Sequence, residues 1–203
     1  MKGLIIIIAI ICNSQIKAHC QNIFEHQNCN GRPLFLENIT SCKEQKKPMF
    51  FTTALKYRQG IFYTTSLDIL ADICYYQHPS WSKGGTLGKF VIEPFGDIYC
   101  VPVPYINNYY NEYSRQNILY KIESQTGVMD SVLNFAGGSN IGSSNPFGLM
   151  GLTYDCSGSS LYVSTIAGSR PESPKGKIYK LEISVTDELI VKDSIENIIL
   201  FVK

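Results

Sequence analysis

From Pro48 onward the chain is written as short runs of Tyr, Ile, Val, Phe and Thr, cut at close intervals by clusters of Gly, Pro, Asn, Asp and Ser. Branched and aromatic side chains suit a pleated, half-buried surface, and the clusters between them supply bent or left-handed backbone. This alternation constrains the chain to an all-β fold. With the apolar runs aligned, three comparable units emerge, each a hairpin followed by a further strand. In the first, Thr53 to Tyr57 leads through a turn at Arg58, Gln59 and Gly60 into Ile61 to Thr64, and later Ile73 to Tyr76. In the second, Lys89 to Glu93 leads through Pro94 to Asp97 into Ile98 to Val101, and later Asn117 to Ile122. In the third, Leu149 to Tyr154 leads through Asp155 to Gly158 into Leu161 to Ser164, and later Lys177 to Leu181. Fourth strands are expected in Val128 to Phe135 and Glu188 to Lys192, and the one short helical candidate is Ser66 to Asp72.

A hairpin alone cannot bury both of its faces, whereas four-stranded sheets set side by side can. The expected fold over 48–203 is a β-propeller-like repeat of four-stranded antiparallel sheets, partial or truncated, with a β-sandwich as the alternative. Tyr63, Tyr99 and Tyr162 stand 36 and 63 residues apart, so an extra strand pair or a long loop is expected between the second and third units. Three or four units are too few for a six-bladed ring. The run Ile198 to Val202 is apolar and strand-like, and as an open edge it predicts self-association or continuation in a longer parent.

The third unit carries Pro146, Phe147 and Gly148, then Gly151 to Asp155, Ser157 and Gly158, then Leu161, Tyr162 and Val163, and finally Gly176 to Tyr179. This order of Pro-x-Gly, apolar strand, Asp-turn-Gly, Leu-Tyr-Val and closing strand resembles the NHL-type repeat and the wider family of six-bladed propellers that includes the gluconolactonase-like proteins. The resemblance is partial in the second unit and faint in the first, and Ser164 stands where the repeat commonly has Asp. It implies a propeller and, by analogy with the gluconolactonase-like members, a divalent metal held near the axis by a Glu, an Asn and an Asp from separate blades. Glu93 and Asp155 are the metal candidates this implies, with Ca²⁺ or Zn²⁺ as the ion. Both also read as solvated turn residues, because an Asp side chain bonds the backbone that follows it.

At the other end, Lys2, the unbroken apolar run Leu4 to Cys12 and the more polar Asn13 to Ala18 have the three-part layout of a secretory signal peptide. A membrane span needs about 20 apolar residues. The expectation is a signal peptide over 1–18, cleavage after Ala18, no transmembrane segment afterwards, and a secreted, extracellular or periplasmic protein. Lipid attachment at Cys12 is the alternative, with Ile11 a poor fit before a modified cysteine. The polar segment 19–47 reads as a Cys-bearing N-terminal cap, and the domain follows.

Export makes disulfides permissible, so Cys20, Cys29, Cys42, Cys74, Cys100 and Cys156 are disulfide candidates whose pairing the sequence leaves open. Cys74 and Cys100, flanked by apolar and aromatic residues, also read as free buried thiols. Cys20, His26 and Cys29 lack the paired spacing of a structural zinc site.

Eighteen Lys and Arg against 17 Asp and Glu leave a net charge of +1, which gives no field for attracting nucleic acid. The chain has no Gly-x-Ser-x-Gly elbow, no His-Glu-x-x-His, no phosphate-binding loop with its Lys and no calcium loop. Gly137 to Gly142 reads as a connection between units, and His19, His26 and His78 are scattered. The least generic surface is the loop containing Tyr105, Asn107, Asn108, Tyr109, Tyr110 and Tyr113, with Trp81 as a further member. Rings offer contact area and amides bond in both directions, which suits a protein, peptide or carbohydrate ligand. The plainer alternative has the tyrosines covering a neighbouring strand and Trp81 plugging a gap between units. Asn38, Ile39 and Thr40 form a glycosylation sequon. The sequence thus predicts a non-enzymatic binding or scaffold module without a cofactor. The alternatives are a metal-dependent lactonase-like hydrolase and a truncated propeller without independent function.

Overall fold

The strand Ile98–Pro102 shows how the molecule is layered, because every one of its residues is buried. Side chains alternate across a strand, so a fully apolar run needs a hydrophobic partner on each face. Ile98 and Cys100 enter one apolar cluster with Phe35, Leu36, Trp81, Ile122 and Met129. Tyr99 and Val101 enter a second, with Leu119, Leu149, Leu161, Val163 and Leu181.

In this computed structural model the described residues are 31–39, 49–55, 58–64, 75–103, 112–135, 147–170, 172–184 and 189–196, with backbone alone for 49–55, 58–64, Tyr75 and Glu196. They form an all-β protein of three antiparallel sheets, each a meander of strands consecutive in the chain. The first contains β1 (Met49–Leu55), β2 (Arg58–Thr64) and β3 (Tyr75–Tyr76). The second contains β4 (Leu87–Ile92), β5 (Ile98–Pro102), β6 (Ile118–Ile122) and β7 (Met129–Asn134). The third contains β8 (Leu149–Asp155), β9 (Ser160–Thr165), β10 (Lys177–Ile183) and β11 (Leu189–Glu196). Their opening strands adjoin, with β4 lying against both β1 and β8.

Both four-stranded sheets follow the strand pattern read from the sequence. The first unit differs in its turn. Leu55 pairs with Arg58 and Ala54 with Gln59, so Arg58, Gln59 and Gly60 belong to β2 and not to the turn. Residues 104–111 and 136–146, where an extra strand pair or a long loop is expected, lie outside the described residues. Ser66 to Asp72 and Ile198 to Val202 lie outside the described residues.

The third sheet turns Leu152, Leu161, Val163 and Leu181 toward the second sheet. Its other face carries Met150, Ile190 and Ile195, exposed by 38%, 42% and 60%. Two short 3-10 turns brace the first apolar layer. Leu34–Asn38 buries Phe35 and Leu36. Pro79–Gly84 buries Trp81 and is capped by His78, whose Nδ1 accepts from the Ser80 N–H at 3.2 Å. No helix among the described residues is long and apolar enough to cross a membrane.

Candidate functional site

Two hairpin turns from neighbouring sheets stand over a shared hollow. The β4–β5 turn contributes Glu93, Phe95 and Asp97, the β8–β9 hairpin contributes Tyr154 and Ser159, and the end of β10 contributes Ile183 and Ser184. The cleft they line has a volume of about 560 Å³.

The first turn is held rigidly by its own carboxylates. The Glu93 and Gly96 ends are closed by Glu93 N–H to the Asp97 carbonyl at 3.0 Å and Gly96 N–H to the Glu93 carbonyl at 2.9 Å. Glu93 Oε1 accepts the Asp97 N–H at 2.9 Å. Gly96 has φ +96, a left-handed value that favours glycine, and a Cβ there would come within 2.6 Å of the Arg32 carbonyl and the Ser124 hydroxyl. Asp97 reaches the other way: Oδ1 accepts the Ser124 N–H at 2.6 Å, and Oδ2 pairs with Lys121 Nζ at 2.7 Å. Ser124 in turn accepts Leu34 N–H at its hydroxyl and Phe35 N–H at its carbonyl. The segment before the first strand is thereby stitched to the floor of this turn.

Within that frame Glu93 is only 2% exposed. Burial pushes its carboxyl above the usual range, and the Asp97 charge adds to the rise. The backbone donors at Phe95 and Asp97 and the Lys121 charge oppose it. Phe95, two residues on, is 84% exposed, so an aromatic ring stands at the lip beside a sequestered carboxylate.

The second turn is a four-residue loop, 156–159, between paired Asp155 and Ser160. It closes on Ser159 at φ +46, the left-handed residue such loops use to rejoin the strand. Asp155 Oδ1 accepts from the Ser157 hydroxyl at 2.7 Å and the Ser157 N–H at 3.0 Å. These bonds, the Gly158 N–H and the Lys180 charge hold its carboxyl below the usual range against some desolvation. Burial raises the Tyr154 hydroxyl, and the Glu93 and Asp155 charges raise it further, while the neighbouring Ser159 side chain opposes the rise.

Glu93 and Asp155 are therefore both bound into their own turns. Among the described residues no three His, Cys, Asp or Glu side chains converge as metal ligands would.

Trp81 is not part of a binding surface. It is fully buried, donates Nε1–H to the Gly127 carbonyl at 2.8 Å, and meets Phe35 and Tyr76 edge to face at 5.8 and 5.5 Å. Its indole fills the space between the N-terminal segment and the second sheet, because a large ring with one polar atom is stable inside once that atom is bonded. Tyr113 is half-buried in a 3-10 turn. Tyr105, Asn107, Asn108, Tyr109 and Tyr110 lie outside the described residues.

Cys100 is a free buried thiol and not a disulfide partner. Its place in the doubly covered strand β5 sets it against Met129, whose Sδ accepts its S–H at 3.9 Å. Cys156, at the start of the second turn, is disulfide-bonded, and its partner lies outside the described residues, as do Cys20, Cys29, Cys42 and Cys74.

The sequence offers Glu93 and Asp155 as metal candidates by resemblance and, more plainly, as turn residues, and gives no sign that Phe95, Tyr154 and Ser159 form a group with them. One local signal was available: a phenylalanine between Pro94 and Gly96 has no strand neighbours to cover it. Fold and site together define an all-β protein of stacked meander sheets with a cleft between adjacent hairpin turns. The chain matches no known protein family, no curated protein and no solved structure.

Proposed function

We propose that this chain is an exported, non-enzymatic binding module on a propeller-like scaffold, and that the cleft between the β4–β5 and β8–β9 turns is its ligand seat. The observation that carries this reading is Phe95, 84% exposed, at the mouth of a formed concavity of about 560 Å³. Ligand sites combine apolar walls with a few fixed polar groups, and residues locked by their own hydrogen bonds hold a ligand without reorganising. Glu93 is locked to Asp97, so it acts as part of a preformed wall. Meander sheets whose opening strands adjoin support the propeller-like arrangement, and the leader-like layout of residues 1–18 supports export.

The test is a panel of glycans and peptides applied to the secreted chain and to Phe95→Ala. At least one member is expected to bind the parent and to lose most of its affinity for Phe95→Ala. A panel with no binder, or binding indifferent to Phe95, overturns the reading.

A further inference from the structure

The walls of the cleft are apolar, while the charges that reach it are mostly negative. Phe95, the Tyr154 ring and Ile183 supply the apolar lining. Three carboxylates act on the space: Glu93 in the wall, Asp97 beside it, and Asp155, whose charge is felt with that of Glu93 at the Tyr154 hydroxyl. Two cations answer them. Lys121 is bound to Asp97 at 2.7 Å with both side chains largely buried, and Lys180 acts on Asp155 while also lying 3.7 Å from Glu182. Glu93 accepts backbone donors at Phe95 and Asp97 and shares the Lys121 charge with Asp97, so three carboxylates face two cations around the cleft. A cleft with apolar walls and more carboxylates than cations around it focuses a negative potential. The aromatic faces of Phe95 and Tyr154 favour the same sign of guest.

Building on the binding reading above, we infer that the cleft takes an ammonium or guanidinium group carried on an aliphatic stem, with the stem against Phe95 and Ile183 and the cation toward Glu93. Two sources share that chemistry: a lysine or arginine side chain of a partner protein, and a free polyamine. An anionic guest would add to the excess of carboxylates over cations around the cleft, and a purely aliphatic one would leave that excess as it is.

The experiment is an NMR titration of the full secreted chain with four probes: the Nα-acetyl methylamides of lysine, arginine and norleucine, and spermidine. The lysine and arginine probes are expected to shift the signals of Phe95, Tyr154 and Ile183, with the norleucine probe at least tenfold weaker. Glu93→Gln keeps an acceptor for the Asp97 N–H and is expected to weaken the lysine probe about tenfold at low salt. Should that variant fail to fold, Phe95→Ala, at an exposed position, serves as the second variant and is expected to lose affinity for the same probe. A tighter lysine or arginine probe identifies a basic side chain as the guest, and a tighter spermidine identifies a polyamine. Equal binding of lysine and norleucine, or a folded Glu93→Gln with unchanged affinity, overturns the inference while leaving the binding reading intact. Silence from all four probes overturns the inference, and a silent glycan and peptide panel overturns the binding reading as well.

Discussion

Trp81 and Gly127 lie 46 positions apart in the chain and 2.8 Å apart in space, indole nitrogen to carbonyl oxygen. The Phe35 ring packs against the same glycine and against the indole. One turn of the second sheet is thus gripped by two rings from segments that precede it. Trp81→Phe removes the donor and leaves both a void and an orphaned carbonyl, so it is expected to cost about 2 kcal/mol of stability. Urea denaturation of the two proteins measures it, and a loss near zero would show that the grip is dispensable.

Cys100 is expected to be chemically silent in the folded chain. Burial pushes its thiol far above the usual range, and the thiolate is the reactive form. Iodoacetamide labelling followed by peptide mapping should leave Cys100 unmodified in buffer and alkylate it in denaturant.

Asp97 and Lys121 are 15% and 10% exposed at their side chains, which places the pair among those where losing one partner is costly. Asp97→Asn is expected to destabilise by about 2–3 kcal/mol because Lys121 keeps its charge in a largely dry place. Asp97→Asn combined with Lys121→Met should recover part of that loss, and a double-mutant cycle reads the difference.

Glu93 and Asp155 impose opposite pH dependences. Glu93 binds its proton more tightly in the folded chain than in the unfolded one. Its contribution to stability is full below the ordinary Glu range and is lost as pH rises through its own raised value. Asp155 is held low, so its contribution is present above the ordinary Asp range and fades as pH falls through its lowered value. Urea midpoints between about pH 4 and 7 should fall less steeply with rising pH in Glu93→Gln than in the parent.

Gly148 sits where the second and third sheets meet backbone to backbone. A Cβ there would overlap the Gln116 carbonyl and lie 2.8 Å from Asn117 Oδ1. The Gln116 carbonyl also accepts the Leu149 N–H at 2.8 Å. Gly148→Ala must push these two segments apart, and a loss of about 3 kcal/mol or failure to fold is expected, since overpacking against backbone has no side chain to give way. Thermal unfolding decides it.

The four-stranded sheets were legible because their turns announce themselves: Pro94 to Asp97 and Asp155 to Gly158 change the backbone's options within a few residues. Arg58 to Gly60 misled for the same reason, since a glycine inside a strand resembles one in a turn until its partner, Thr53, is known. The cleft was illegible because its walls come from turns some sixty residues apart that approach only when sheets stack, and no local pattern encodes a stacking neighbour. Trp81 was ambiguous between surface and plug, because its polar edge allows either; the Gly127 carbonyl that settles it is distant in sequence.

The strand β5, covered on both faces, has a kinetic meaning. Each sheet is a run of strands consecutive in the chain, so its pairings are local and form early. The second sheet, however, attains its native surroundings only after both neighbours dock. Opening therefore proceeds from the ends of the stack inward. Departure of the third sheet bares Tyr99 and Val101, departure of the N-terminal segment and first sheet bares Ile98 and Cys100, and the amides of β5 are the last to meet water.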